Sequence, residues 1–193
     1  MTTWHWVRHG PTHEKTFVGW RDVPADLSDQ AKIDRLRAHL PERAVVIASD
    51  LQRASATADA ITGAHHVRLP DHPDLRELDF GVWDGMHVKD VAARDPDLSR
   101  AYWDTPGDIR APQGESWNMT AARVNAVVDH INRAHRDAHV IAVAHFGVIL
   151  TQIQRALGIP ATEAFTHKID NLSVTRITWQ GGTGAAPLIN HSP

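Results

Sequence analysis

Arg8 and His9 stand side by side at the end of a short apolar run, TWHWV (3–7), and are followed by Gly10. A second run, AVVIA (44–48), leads to Arg53 in the opening turn of a helical pattern, and a third, HVIAVA (139–144), leads to His145 and another helix start. In open α/β sheets, ligands bind beyond the carboxyl ends of the strands. Read as strands, these runs deliver two arginines and two histidines to one edge. That set suits a dianionic oxyanion. Guanidinium forks bind phosphate oxygens in pairs, helix N-termini add backbone N–H donors, and a neutral imidazole is a nucleophile or proton carrier. Arg53 adds a smaller sign, because a cation in a first helical turn opposes the helix dipole unless an anion is held there. Each residue also has an ordinary reading: a strand-end histidine as a hydrogen-bonded structural group, Arg8 as a strand-edge ion pair. The weight rests on three tips carrying Arg or His together.

Other chemistries find less support. With 14 histidines, metal binding is the competing use, but no HExxH segment occurs. The His65–His66 pair falls in a predicted loop without carboxylates at ligand spacing, so neither metal nor other cofactor is expected. There is no cysteine, which removes disulfides, thiolate sites and cysteine nucleophiles. No GxxxxGK[ST] segment is present, and GGTG (181–184) follows a strand but opens no helix. A net charge of -3 gives no basic field for nucleic acid. No apolar run approaches the ~20 residues of a membrane span, and the N-terminus lacks the pattern of an export signal. A cytoplasmic location with no nucleic-acid or membrane partner is the expectation.

The elements that must position these residues follow from periodicity. After the first strand comes SDQAKIDRLRAHL, with Ser28 as N-cap and Ile33, Leu36 and Leu40 on one face. After the second comes SDLQRASATADAI, opened by Ser49 or Asp50; after the third, GVILTQIQRALG, closed by Gly158 with Pro160 beyond. A longer helix is predicted from about Ser116 to Arg136, with Trp117, Ala121, Val124, Val128 and Ile131 recurring along one face. NLSVTRITW (171–179) alternates as a strand, and QGGTG (180–184) reads as a turn. Strands alternating with helices predict an α/β fold of three layers, α/β/α, around a mostly parallel central sheet, in one domain spanning 1–193. The segment from Pro70 to Pro112 breaks that rhythm with five prolines and a group of aromatics (Phe80, Trp83, Tyr102, Trp103). It is expected to be an excursion with short helices over one end of the sheet, as lids and substrate walls are.

Several blocks together resemble the histidine phosphatase superfamily, the phosphoglycerate mutase-like proteins. VRHGPT is similar to the family signature, and FVGWRDVPADLS to its Gly-Trp-x-Asp-x-Pro-Leu-Ser segment, with Ala25 and Asp26 as extra residues before Leu27. ASDLQRASATAD, LRELDFGVWDG, PQGESW and VAHFGVI resemble further blocks in the family's order. The resemblance implies a nucleophile at His9, a general acid at Glu77, and a phosphate pocket formed by Arg8, Arg53, His9 and His145. It also makes His145 a catalytic residue and gives Thr12 a choice between a phosphate contact and capping a turn. It implies a His9 ring pinned through one nitrogen to a backbone carbonyl, a protonated His145, and a Glu77 whose pKa is raised, with Phe80 or Trp83 as desolvating walls. On spacing alone, Glu77 is a surface residue in a polar loop. The chain departs from the family pattern at Pro11, Lys15, Phe146 and Leu150. Lys15 is expected in solvent; Phe146 either narrows the pocket or packs under its helix.

The activity implied is a metal-independent phosphomonoesterase of the histidine acid phosphatase type, acting through a phosphohistidine on a small phosphorylated metabolite. A phosphoglycerate mutase is the alternative. The mutases of this family carry an Arg-Arg pair in a longer insertion for the substrate carboxylate, and this chain has no Arg-Arg pair. A non-catalytic phosphoryl-binding protein would be expected to lack His9 or Glu77. The tryptophans of the excursion, with Trp20 and Trp117, are expected to be packing residues. Their other reading is a wall for an aromatic or nucleoside-like substrate such as α-ribazole 5′-phosphate, the substrate of similar short members. A strand edge or an apolar lid face offers a place for a homodimer.

Overall fold

Residue parity along the strands decides which side chains meet which helices. In the computed structural model, which describes residues 1–193, six strands form one sheet in the order β3-β2-β4-β1-β5-β6. They are β1 (Thr2–Arg8), β2 (Ala44–Ala48), β3 (His66–Arg68), β4 (His139–Ala144), β5 (Val174–Gln180) and β6 (Thr183–His191). The first four run parallel; β5 and β6 form an antiparallel hairpin beside β1. The helices are α1 (Gln30–His39), α2 (Gln52–Ile61), α3 (Val88–Arg94), α4 (Pro96–Asp104), α5 (Trp117–Ala134), α6 (Phe146–Leu157) and α7 (Ala161–Ala164).

Because successive strand residues face opposite ways, the sheet has two cores. Trp4, Trp6, Ile47, Val140, Ala142 and Ile177 meet Val124, Val128 and Ile131 of α5 and Ile149 and Ile153 of α6. Val7, Val46, Ile141, Val143 and Val174 meet Ile33 and Leu36 of α1 and Ala54, Ala58 and Ile61 of α2. Each large aliphatic buried this way contributes about 1.5–3 kcal/mol of transfer free energy. This is the three-layer α/β arrangement expected. Residues 70–112 carry two 3₁₀ turns, Pro73–Leu75 and Gly81–Trp83, then α3 and α4. Leu75, Leu78, Phe80, Trp83, Val91 and Tyr102 bury on the α5/α6 side. No helix is long and apolar enough to cross a membrane.

Helix ends differ from expectation where side chains compete for one cap. Ser28 does not cap α1: the Asp29 carboxylate accepts from Lys32 N at 3.0 Å, one residue later. Neither Ser49 nor Asp50 caps α2: the helix starts later, after Leu51, and the Asp50 carboxylate is taken by Arg76 at 2.7 and 2.6 Å. The free Gln52 N–H is met instead by the Asp22 carboxylate at 2.8 Å, from a distant loop. Ser116 caps α5, accepting from Met119 N at 3.2 Å, and Gly158 closes α6 in a left-handed conformation at φ 63°. His66 opens the short edge strand β3 rather than lying in a loop, and Thr183–His191 forms a sixth strand.

Candidate active site

The parallel strands β1, β2 and β4 end side by side, so their tips form one floor. β1 delivers Arg8 as its last residue and His9 just beyond it, where His9 N donates to Ala144 O of the neighbouring strand at 3.0 Å. The His9 ring is fixed by Nδ1 against Gly10 O at 2.7 Å. A carbonyl only accepts, so Nδ1 carries the proton and Nε2 keeps its lone pair. The loop is held twice more: Asn171 Nδ2 donates to His9 O at 2.8 Å, and Gly10 N donates to Thr57 Oγ1 at 3.0 Å. A Cβ at Gly10 would lie 2.6 Å from Leu27 Cδ2, so a side chain there would push Leu27 aside. Burial, then the Arg53 charge, hold the His9 ring down at about 3, against a smaller opposing effect of the Gly10 carbonyl.

His145 caps α6 from the tip of β4, and its ring centroid lies 5.1 Å from that of His9. It is fully buried, yet neither ring nitrogen has a partner within the protein. The expected protonated His145 is not the form favoured here. Burial first, then Arg53, His9, Arg123 and Arg8, hold the ring well below its ordinary value. A neutral imidazole among cations gains a proton only when an anion changes the local field.

The two arginines are prearranged. Arg53, in the first turn of α2, is 1% exposed, with Nη2 donating to Gly19 O at 2.7 Å and Nη1 to Arg21 O at 3.0 Å. Arg8 donates through Nη1 to Ile169 O at 2.7 Å, and its guanidinium lies 5.6 Å over the Phe146 ring. Phe146 therefore backs Arg8.

Glu77 comes from the excursion, between its two 3₁₀ turns. Its Oε1 and Oε2 accept from Gly147 N at 3.1 and 3.2 Å, and Oε1 also accepts from Leu78 N at 3.0 Å. Burial pushes the carboxyl pKa up and outweighs the opposing pull of these N–H groups and of Arg53 and Arg8. The raised value expected is thus a desolvation effect. Trp20 is the indole that touches Glu77, donating from Nε1 to its backbone carbonyl at 2.8 Å. Trp83 lies in the core with Nε1 on Asp95 Oδ2 at 2.8 Å.

Arg8, His9, Arg53, Glu77 and His145 are brought together, as the charges of Arg8 and Arg53 acting on the other three attest. Thr12 has its hydroxyl 3.4 Å from Glu14 N, which it accepts within a turn. Lys15 is exposed and Leu150 is fully buried. Trp117 is buried, whereas Trp103 is half-buried, stacked on Phe17 at 5.8 Å and edge-on to Tyr102. No three His, Asp or Glu side chains converge as a metal site. Gly147, Asn171 and Arg123 are not visible as site residues in the sequence: their partners, the Glu77 carboxylate, His9 O and the carbonyls of residues 74, 76 and 77, come from segments far away in the chain.

Two cations, two neutral imidazoles and a carboxyl biased toward its protonated form are the parts for holding an oxyanion and moving a group and a proton. A protein of Enterobacter sp. (strain 638) named probable phosphoglycerate mutase GpmB is 31% identical over 179 residues, covering 90% of this chain and 83% of its own. The structure of Bacillus stearothermophilus YhfR superposes with a TM-score of 0.89 at 26% identity, covering 100% of this chain and 98% of its own. The alpha-ribazole phosphatase from Shigella flexneri shares the fold with a TM-score of 0.83 at 22% identity, covering 98% and 96% of the two chains. Residues 5–192 match the histidine phosphatase superfamily (branch 1), and the chain belongs to that superfamily.

Proposed function

We propose that the chain is a phosphomonoesterase that hydrolyses a small phosphorylated metabolite through a phosphohistidine at His9. The carrying observation is the His9 ring itself: Nδ1 is tied to Gly10 O, which leaves Nε2 as a neutral nucleophile beside His145 and the Arg53 charge. Nε2 attacks phosphorus and the P–O ester bond breaks. The departing alkoxide takes the proton of Glu77. Water then attacks the phosphohistidine, its proton passes to the Glu77 carboxylate, the N–P bond breaks and phosphate leaves. Arg8, Arg53 and His145, protonated once the dianion is bound, stabilise the charge on the transferring phosphoryl oxygens. In this reading these cations supply the charge neutralisation, and no metal step is invoked. The hydroxyl of Thr12 accepts from Glu14 N and keeps its own O–H donor, so it stays in the phosphate set of this reading.

Turnover of p-nitrophenyl phosphate by the wild type beside His9→Ala tests this reading. Turnover lost in the variant, with radioactive phosphate trapped on the wild-type protein, supports it; equal turnover by both refutes it. A mutase reading is favoured by the name of the Enterobacter relative. It predicts 2-phosphoglycerate from 3-phosphoglycerate only with a bisphosphoglycerate primer. The phosphatase reading predicts phosphate release from a panel of esters without primer.

A further inference from the structure

We propose that Arg123, with Glu115, is a positioning residue for Glu77: the pair ties down the main chain on both sides of that carboxyl and so sets where its proton is delivered. This rests on the reading of Glu77 as general acid.

Arg123 lies on α5, and all five of its N–H donors are engaged. Nη1 donates to Asp74 O and Arg76 O, each at 2.7 Å. Nη2 donates to Glu77 O and to Glu115 Oε2, each at 2.8 Å, and Nε donates to Glu115 Oε1 at 2.8 Å. Glu115 completes the clamp: its Oε2 accepts from Asp79 N at 3.1 Å and from Thr120 Oγ1 at 3.0 Å, and its own N–H donates to Asp79 O at 2.8 Å. The segment carrying Glu77 is therefore gripped at 74, 76, 77 and 79. The side chains of Arg123 and Glu115 are only 13% and 12% exposed, so this is not a screened surface pair. Burial pushes the Glu115 carboxyl up, but the Arg123 hydrogen bonds and charge bring it below its ordinary value.

The irregular segment between the two 3₁₀ turns has no helix or sheet ladder to hold it, and the Glu77 carboxyl is seated on Gly147 N–H across the sheet edge. Arg123 bonds to main-chain carbonyls of this segment and not to the Glu77 carboxyl. It acts on that group through geometry. A displacement of ~1 Å at such a group can cost on the order of 10²-fold in rate. Only reactions that need the proton would feel it.

The leaving group supplies the test. Kinetics of Arg123→Lys, Arg123→Met and Glu77→Gln are compared on glycerol phosphate, whose alkoxide needs a proton, and on 2,4-dinitrophenyl phosphate, whose phenolate does not. The expected result is a loss in kcat/KM at least about tenfold greater on glycerol phosphate in the Arg123 variants, in the same direction as Glu77→Gln. Arg123→Lys keeps a positive charge near Glu115 and His145 but cannot span the three carbonyls, so a split in that variant marks geometry. Thr120→Val, which removes one donor to Glu115, carries the test if the Arg123 variants do not fold; it should show a smaller split. Equal losses on both esters in folded variants, while Glu77→Gln separates them, overturn the positioning role alone. No separation in Glu77→Gln overturns the general-acid reading, and the positioning role with it.

Discussion

Gly147→Ala is the sharpest single test of how the site is seated. Gly147 stands in the first turn of α6, and its N–H bridges both Glu77 oxygens. A Cβ at this position would lie 2.0 Å from Leu78 Cδ1 and 2.6 Å from Glu77 Oε1. Ordinary carbon contacts begin near ~3.5 Å, so something must move by about an ångström or more. Leu78 is buried at 3% exposure, and α6 is locked by Val148, Ile149 and Leu150, all fully buried. The Leu78 side chain must yield to relieve the shorter contact, and the Glu77 carboxylate, hinged on its own side chain and held by Leu78 N, is displaced with it. Overpacking of this kind costs roughly 1–3 kcal/mol, which in a chain of this size lowers Tm by about 2–12 °C. The loss in kcat on an alkyl phosphate should be larger than that stability loss suggests, on the order of 10²-fold, because the proton donor is displaced. Thermal unfolding and steady-state kinetics well below Tm read the two effects separately. A variant with unchanged kcat would refute the placement of Glu77 on Gly147.

Acid should destabilise the protein through its buried histidines. Burial and the neighbouring His139 hold His5 at about 4, and burial with Arg53 holds His9 at about 3, both below the unfolded value of ~6.5. The unfolded chain then binds more protons in that window, so stability present above ~6.5 is lost as the pH falls toward 4 and then 3. Urea midpoints should decline across this range, less steeply in His5→Gln; parallel declines would contradict the neutral buried form of His5. Glu77 has the opposite sign: its raised pKa keeps the proton-donating form at lower pH and loses it as the pH rises through that value. The kcat/KM on an alkyl ester should fall on the alkaline side, with that limb absent in Glu77→Gln; a limb that persists assigns the titration to another group. Binding of phosphate or vanadate should take up protons, because the anion offsets the burial and the neighbouring cations that keep the unpartnered His145 neutral. Calorimetry in buffers of different ionisation enthalpy measures this, and proton release would sink the idea.

The site was legible in the sequence where a residue's surroundings are made by its own strand or helix. TWHWV, AVVIA and HVIAVA bury on both faces, so the residues that follow them had to emerge at one edge, and Arg8, His9, Arg53 in the first turn of α2, and His145 do. The two strands that were missed bury little: β3 is three residues with Val67 60% exposed, and β6 is an edge strand containing Pro187. On α5, buried Thr120 shows no apolar signal, because its place is set by a hydroxyl bond to Glu115. Arg123 reads as an ordinary helical surface cation until the carbonyls of residues 74, 76 and 77 arrive from elsewhere.

Glu77 is the case that matters most for function. Its neighbours in sequence are polar and aperiodic, and only the resemblance of its block singles it out. What makes it a candidate acid is 70 residues away in the chain, where a glycine without a side chain lets the carboxylate dock against the start of α6. Burial there raises its pKa despite two backbone donors and two arginines pulling the other way. A proton donor of this kind needs that imbalance between desolvation and local charge. The imbalance is a property of the packed interface between the excursion and α6, which no local sequence pattern contains.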